Sequence, residues 1–262
     1  MKALAWSARD GQIALLLLGS AALYVVFHYG LSARALLARL TRRAGEAATG
    51  DGASAQLQAR SVLISKAASG LWLGAGALAL LAAVGLAPLS HGLWPRAAAD
   101  FSLTPLAIAL GVVVFVPFVV IAARSPQQRA LYPEIRARRW PPALVLASAG
   151  AWAIYLLGYE LFFRGVLLMS LADRFGAWPA LGITTALYVF AHLPKPNASE
   201  TASCVLMGVI FGAMALVTGA MWAPFVVHLV IAVSSETAAA LWDPEVTWWA
   251  REGRGKPAAS AS

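Results

Sequence analysis

Four residues have side chains suited to hydrolytic chemistry and lie in sequence that otherwise belongs in lipid: Glu160, Arg164, His192 and His228. Glu160 and Arg164 are four apart, which places them on one helix face within ion-pair reach. They follow Trp140–Tyr159, a stretch without a formal charge. An ionisable side chain at membrane depth costs roughly 2.5 to 3.5 kcal/mol on the mildest scales, so such residues face an interior cavity and a partner. Arginine stays protonated and cannot act as a base; beside a carboxylate it holds the charge and fixes the rotamer. His228 lies inside the apolar stretch Trp222–Ser235, where neutral imidazole must satisfy a donor and an acceptor. His192 closes an earlier apolar segment. One carboxylate, one guanidinium and two imidazoles brought together would suit the activation of water. Plainer roles compete: a salt bridge that pins two helices for the first pair, and a helix cap for His192.

Positioning these residues requires a membrane bundle. Of the 262 residues 60% are hydrophobic and the mean hydropathy is +0.71, values produced by long apolar runs. A hydrocarbon core takes about 20 apolar residues per helix. The expected spans are Gln12–Gly30, Ala67–Ala87, Thr104–Ala123 and Pro142–Tyr159 with a continuation to about Asp173, then Ala177–His192, Thr201–Thr218 and Met221–Leu241. The runs are too long and too rich in Ala and Leu for the alternating strands of a barrel. The sequence therefore predicts an all-α polytopic transmembrane bundle of about seven spans. The expected organisation is N-terminal helices with a basic loop over 1–103, core helices over 104–242, and a disordered cytoplasmic tail over 243–262. Ala44–Ala59, made largely of Gly, Ala, Ser and Gln, reads as a flexible connection.

The net charge of +8 is not spread over one surface, so nucleic acid is not an expected partner. Arg34, Arg39, Arg42, Arg43, Arg60 and Lys66 crowd the first connection, and Arg124, Arg129, Arg136, Arg138 and Arg139 the third; Arg251, Arg254 and Lys256 lie in the tail. With seven spans all three fall on one side, which orients the N-terminus outside and the C-terminus in the cytoplasm. The expected location is a bacterial inner (cytoplasmic) membrane. The basic N-terminus and the apolar run after it read as a retained span rather than a cleaved signal. Cys204 is the sole cysteine, so no internal disulfide forms.

Other polar residues have local readings. Ser235 follows His228 by seven residues, on nearly the same face, and Glu236 is next. Glu200 starts the sixth segment, where a carboxylate interacts with the helix dipole. His28 and His91, at span edges, read as interfacial. Gly208 and Gly212 form a small-xxx-small packing face.

Three pieces in order resemble the CAAX-protease and bacteriocin-processing family of intramembrane glutamic endopeptidases, which includes the type II CAAX prenyl proteases. That family carries E-E-x-x-x-R, then F-x-x-x-H, then H-x-x-x-N or D. The matching segments here are Tyr159-Glu160-Leu161-Phe162-Phe163-Arg164, Tyr188-Val189-Phe190-Ala191-His192 and His228-Leu229-Val230-Ile231-Ala232, within roughly Pro142–Glu236. Tyr159 stands where the family has its first glutamate, Tyr188 where it has Phe, and Ala232 where it has Asn or Asp. The resemblance implies peptide-bond hydrolysis by water activated by Glu160, with His192 positioning the water, His228 donating to the oxyanion and Arg164 orienting the carboxylate. Tyr159, Glu200, Ser235 and Glu236 are the candidate auxiliary residues. Either Glu160 serves as the base alone, or Glu200 or Glu236 supplies the missing carboxylate while Ser235 or Glu236 compensates for Ala232, or the site is inactive. The implied partners are the lipid bilayer and a membrane-embedded, lipid-modified or C-terminal sorting substrate. No cofactor or metal is implied. A zinc hydrolase using His192, His228 and a carboxylate is the competing mechanism, since three protein ligands and an open position suffice. A non-catalytic binder of hydrophobic segments, such as an immunity or assembly factor, is the competing function.

Overall fold

The computed structural model describes residues 7–45, 51–87, 91–95, 102–192 and 198–248, with backbone alone at Asp51 and over 198–201. Ser7 starts α1 (Ala8–Val26) with a capping box, its hydroxyl taking the Asp10 amide while the Asp10 carboxylate takes the Ser7 amide. A π-helical turn, Phe27–Leu31, leads into α2 (Ala33–Ala44), which Ser32 caps. Then come α3 (Asp51–Ala83), α4 (Thr104–Ala122), the short α5 (Pro126–Leu131) and strand β1 (Arg139–Trp140). The helix α6 (Pro142–Glu160) starts on a proline at its first position, where the missing amide hydrogen bond costs nothing. It continues through a π-helical segment, Leu161–Leu168, into α7 (Met169–Phe175). The last elements are α8 (Ala177–His192), α9 (Ala198–Thr218), α10 (Trp222–Trp242) and strand β2 (Thr247–Trp248).

The protein is thus an all-α membrane bundle, with helix in each of the seven expected apolar segments. Among the described residues five stretches are long and apolar enough to cross a membrane: Ala8–Ala44, Gly52–Ala83, Thr104–Ala122, Pro142–Phe175 and Trp222–Trp242. Between the last two lie the shorter α8, of 16 residues, and α9. The helix from Pro142 runs unbroken to Phe175, with no break at Gly158. Leu106, Leu110, Val113, Val114, Phe118 and Ile121 of α4 are exposed, as a lipid-facing helix requires.

The first connection departs from expectation. Its basic residues lie on α2 and within α3, and 51–59 of the stretch read as flexible are helical. Ala and Gln are good helix formers, and their summed propensity outweighs Gly52. Lys66 is inside α3 and buried, and its ammonium meets Glu134 Oε2 at 2.8 Å. Residues 46–50 of that stretch, and 249–262 of the expected tail with Arg251, Arg254 and Lys256, lie outside the described residues.

Three connections meet at one end of the bundle. Gln58 of α3 donates to the Glu134 carbonyl at 2.7 Å and accepts from the Arg136 amide at 3.0 Å. Arg129 donates to the Trp242 carbonyl, and β1 pairs in parallel with β2, Arg139 opposite Thr247 and Trp140 opposite Trp248. At the other end, Gln12 bonds the Val84 carbonyl, Arg174 pairs with Asp10 at 2.6 Å, and Trp222 donates to the Leu93 carbonyl.

Helices α3 and α6 touch backbone to backbone. A Cβ at Gly158 would lie 1.9 Å from the Gly70 carbonyl oxygen, and one at Gly74 would lie 3.3 Å from the Gly158 Cα. This is a small-xxx-small contact, Gly70 and Gly74 against Gly158. Gly208 and Gly212 of α9 make the packing face expected of them, against Thr185 and Leu181 of α8. Overpacking costs typically about 1 to 3 kcal/mol. Gly158→Ala should lower stability by at least about 2 kcal/mol in that range, while Gly150→Ala, where a Cβ meets nothing within 4 Å, should not. Unfolding of the two variants in detergent checks this; equal stability would mean that the helices do not meet there.

Candidate functional site

Glu160 ends α6 and Arg164 lies in the π-helical segment that follows. Such segments are rare, and recur at functional sites because the wider turn shifts the side chains that follow it. The segment also takes a close neighbour: a Cβ on Gly92, whose φ is +93°, would sit 2.1 Å from the Gly165 Cα. The 91–95 turn therefore seats directly on the helix beside Arg164. Only glycine combines that φ with that approach.

Glu160 is 0% exposed and Arg164 2%. Arg164 Nη1 lies 3.3 Å from Glu160 Oε1 and 3.2 Å from Oε2. From α10, His228 Nδ1 meets Glu160 Oε1 at 2.6 Å. A carboxylate oxygen accepts, so Nδ1 carries the hydrogen and Nε2 is the acceptor of the neutral ring. The His228 side chain is 17% exposed where that of Glu160 is 0%, so the imidazole is the outward member of the pair. His192 Nδ1 lies 2.8 Å from the Tyr188 carbonyl one turn back, which sets its tautomer in the same way. Tyr24 of α1 helps hold that helix end, donating to the Ala191 carbonyl at 2.6 Å.

The ring of Tyr159 links the two imidazoles. Its centroid is 6.4 Å from that of His192 and 6.3 Å from that of His228, both nearly perpendicular. Tyr188 fills another part: the Arg164 guanidinium carbon lies 4.3 Å from its ring centroid, with Phe163 and Phe211 farther out. An aromatic face favours a guanidinium electrostatically and excludes water from it. The aromatic face at position 188 is one that either Phe or Tyr supplies.

The structure brings Glu160, Arg164, His192, His228 and Tyr159 together, and it puts the other candidates elsewhere. Ala232 is buried against Trp152 and Leu156 of α6. Ser235 is buried, and Glu236 Oε2 accepts from the Glu134 amide at 3.0 Å, about 12 Å of helix beyond His228. Glu200 is in the first turn of α9, where its side chain lies outside the described residues. His91 is buried rather than interfacial, with Nε2 3.6 Å from Asp173 Oδ2. Among the described residues no group of three or more His, Cys, Asp or Glu is arranged to hold a metal ion.

Sequence reasoning missed the Arg164–Tyr188 stack, the Lys66–Glu134 pair and the contact of α3 with α6. Only the last left a signal, the Gly70-x-x-x-Gly74 spacing, which is the one read at Gly208 and Gly212.

A buried carboxylate is thus held by guanidinium and imidazole inside a polytopic helical bundle. Residues 141–234, which contain all four principal site residues, match the family described as type II CAAX prenyl endopeptidase Rce1-like. The match covers the helices that carry this site, and the family it describes is one of proteases. No curated protein and no solved structure matches the chain.

Removing one partner of a buried ion pair typically costs about 3 to 5 kcal/mol. Arg164→Gln should lose stability in that range, and Tyr188→Phe, which keeps the ring, much less. Unfolding in detergent measures both. An Arg164→Gln variant as stable as the parent would show that the pair does not hold Glu160.

Proposed function

We propose that the protein is an intramembrane endopeptidase whose proton acceptor is the Glu160–His228 pair. The observation that carries this reading is the 2.6 Å contact between a fully buried carboxylate and a partly accessible imidazole. His228 Nε2 takes a proton from water as the water oxygen bonds to the peptide carbonyl carbon. Glu160 stabilises the imidazolium, and Arg164 keeps Glu160 ionised and in place. The proton then passes to the leaving amine nitrogen as the C–N bond breaks. His192 positions the water. In this reading Glu160 acts through His228 rather than on water directly, because the carboxylate has no exposed surface.

The substrate is a membrane-embedded or membrane-adjacent peptide, with a lipid-modified or C-terminal sorting segment as its favoured form. The core over 104–242 carries the site, and the helices within 1–103 buttress it through the α3–α6 contact. The end where the basic connections meet faces the cytoplasm, which places the N-terminus outside and the C-terminus inside.

One observation favours a metal hydrolase instead. Both imidazoles have Nδ1 set against an oxygen, as metal-ligating histidines do. Activity abolished by a chelator and restored by zinc would select that mechanism. Tyr159 and Ala232, which stand in place of the family's polar residues, favour an inactive binder.

Glu160→Gln keeps the shape and removes the charge. Since a positioned acid–base group gives about 10² to 10⁴-fold, cleavage of a membrane peptide substrate should fall by at least about 10². A folded variant that cleaves at the parent rate would overturn the assignment.

A further inference from the structure

Glu236 is a second intramembrane carboxylate, 1% exposed and outside the Glu160 site. Its Oε2 is held by the Glu134 amide, and the Glu134 carboxylate is held in turn by Lys66. Its Oε1 has no hydrogen-bond partner among the described residues, and neither has Ser148 Oγ or Trp152 Nε1, both on α6. Ser148 is 3% exposed and Trp152 6%. All three residues line one small cavity between α6 and α10, about 10 Å³ in volume.

That volume holds about one water molecule, and a buried water needs two to four polar partners. The chemistry of the walls narrows the occupant. The indole N–H only donates, and the Lys66 ammonium lies 3.2 Å from the centroid of the same indole, so a cation would meet repulsion. An anion would meet the Glu236 carboxyl group. A single small molecule that both donates and accepts fits all three walls. It accepts from Trp152 Nε1, donates to Glu236 Oε1, and makes a third bond with the Ser148 hydroxyl, which can take either role.

We propose that Glu236, Ser148 and Trp152 hold one buried water between α6 and α10, and that this bridge sets the register at which Glu160 meets His228. The two helices are antiparallel here. Glu160 faces His228, Leu156 and Trp152 pack on Ala232, and Ser148 and Trp152 share the cavity with Glu236. Apolar contacts are non-directional, whereas two polar links at different depths fix a single register. The inference rests on this geometry and is independent of the peptidase reading.

A density map of the full chain, at a resolution that shows its other buried waters, tests the site. We expect one peak within hydrogen-bond distance of all three atoms. An empty cavity, or a peak that depends on sodium added to the buffer, overturns the assignment. A stability cycle adds a second reading. Ser148 Oγ and Glu236 Oε1 make no direct hydrogen bond, so any hydrogen-bond coupling between Ser148→Ala and Glu236→Met runs through a shared water. The double variant should then lose less in thermal midpoint than the sum of the single variants, and additive losses overturn the bridge. If Glu236→Met fails to fold, Trp152→Phe replaces it in the same cycle. For the register, the ¹⁵N resonance of His228 Nδ1 should shift in Ser148→Ala, although Ser148 lies three turns from Glu160. An unchanged resonance overturns the positioning role.

Discussion

A carboxylate with no exposed surface inside an apolar bundle constrains the rest of this structure. Left alone, the buried charge of Glu160 would cost several kcal/mol, and the protein surrounds it with two donors from two places. Arg164 comes from the same helix and His228 from α10. Arginine is suited to the first position because it stays charged and its planar head packs on aromatic faces. Histidine is suited to the second because its other nitrogen remains available for proton transfer.

The architecture follows from keeping those donors in reach. Glycine contacts bring α3 against α6 with no side chain between them, and the 91–95 turn seats on Gly165 in the same fashion. Around the polar centre the shell is aromatic: Tyr155, Tyr159, Phe163, Tyr188 and Phe211 line it. Rings serve here because they are large and rigid, and their faces tolerate a cation. The π-helical segment lies where this shell is densest, between Glu160 and the α7 helix.

Much of this was legible in the sequence because lipid imposes a simple code. Long apolar runs must be helices, so all seven segments appeared where expected. Charges inside them must be paired, which singled out Glu160, Arg164 and His228. Contacts that depend on three-dimensional register were not legible. Tyr188 and Arg164 are 24 residues apart on different helices, and no spacing rule relates them. Lys66 looked like a loop charge because a positive residue near a span normally marks a flank; its partner Glu134 comes from a distant connection. The flexible reading of 51–59 failed because its Ala, Gln and Leu residues are good helix formers. Glu236 was noticed for its place beside Ser235, yet its contacts are with the connection after α5.

In the proposed peptidase Glu160 and His228 act as one unit. Groups that act as a unit lose activity non-additively. The most direct measurement is therefore the cleavage rate of a membrane-embedded peptide by the parent, Glu160→Gln, His228→Gln and the double variant, all shown to be folded. Each single change should cost nearly as much as both together. Losses that multiply independently, or a His228→Gln variant that cleaves normally, would contradict it.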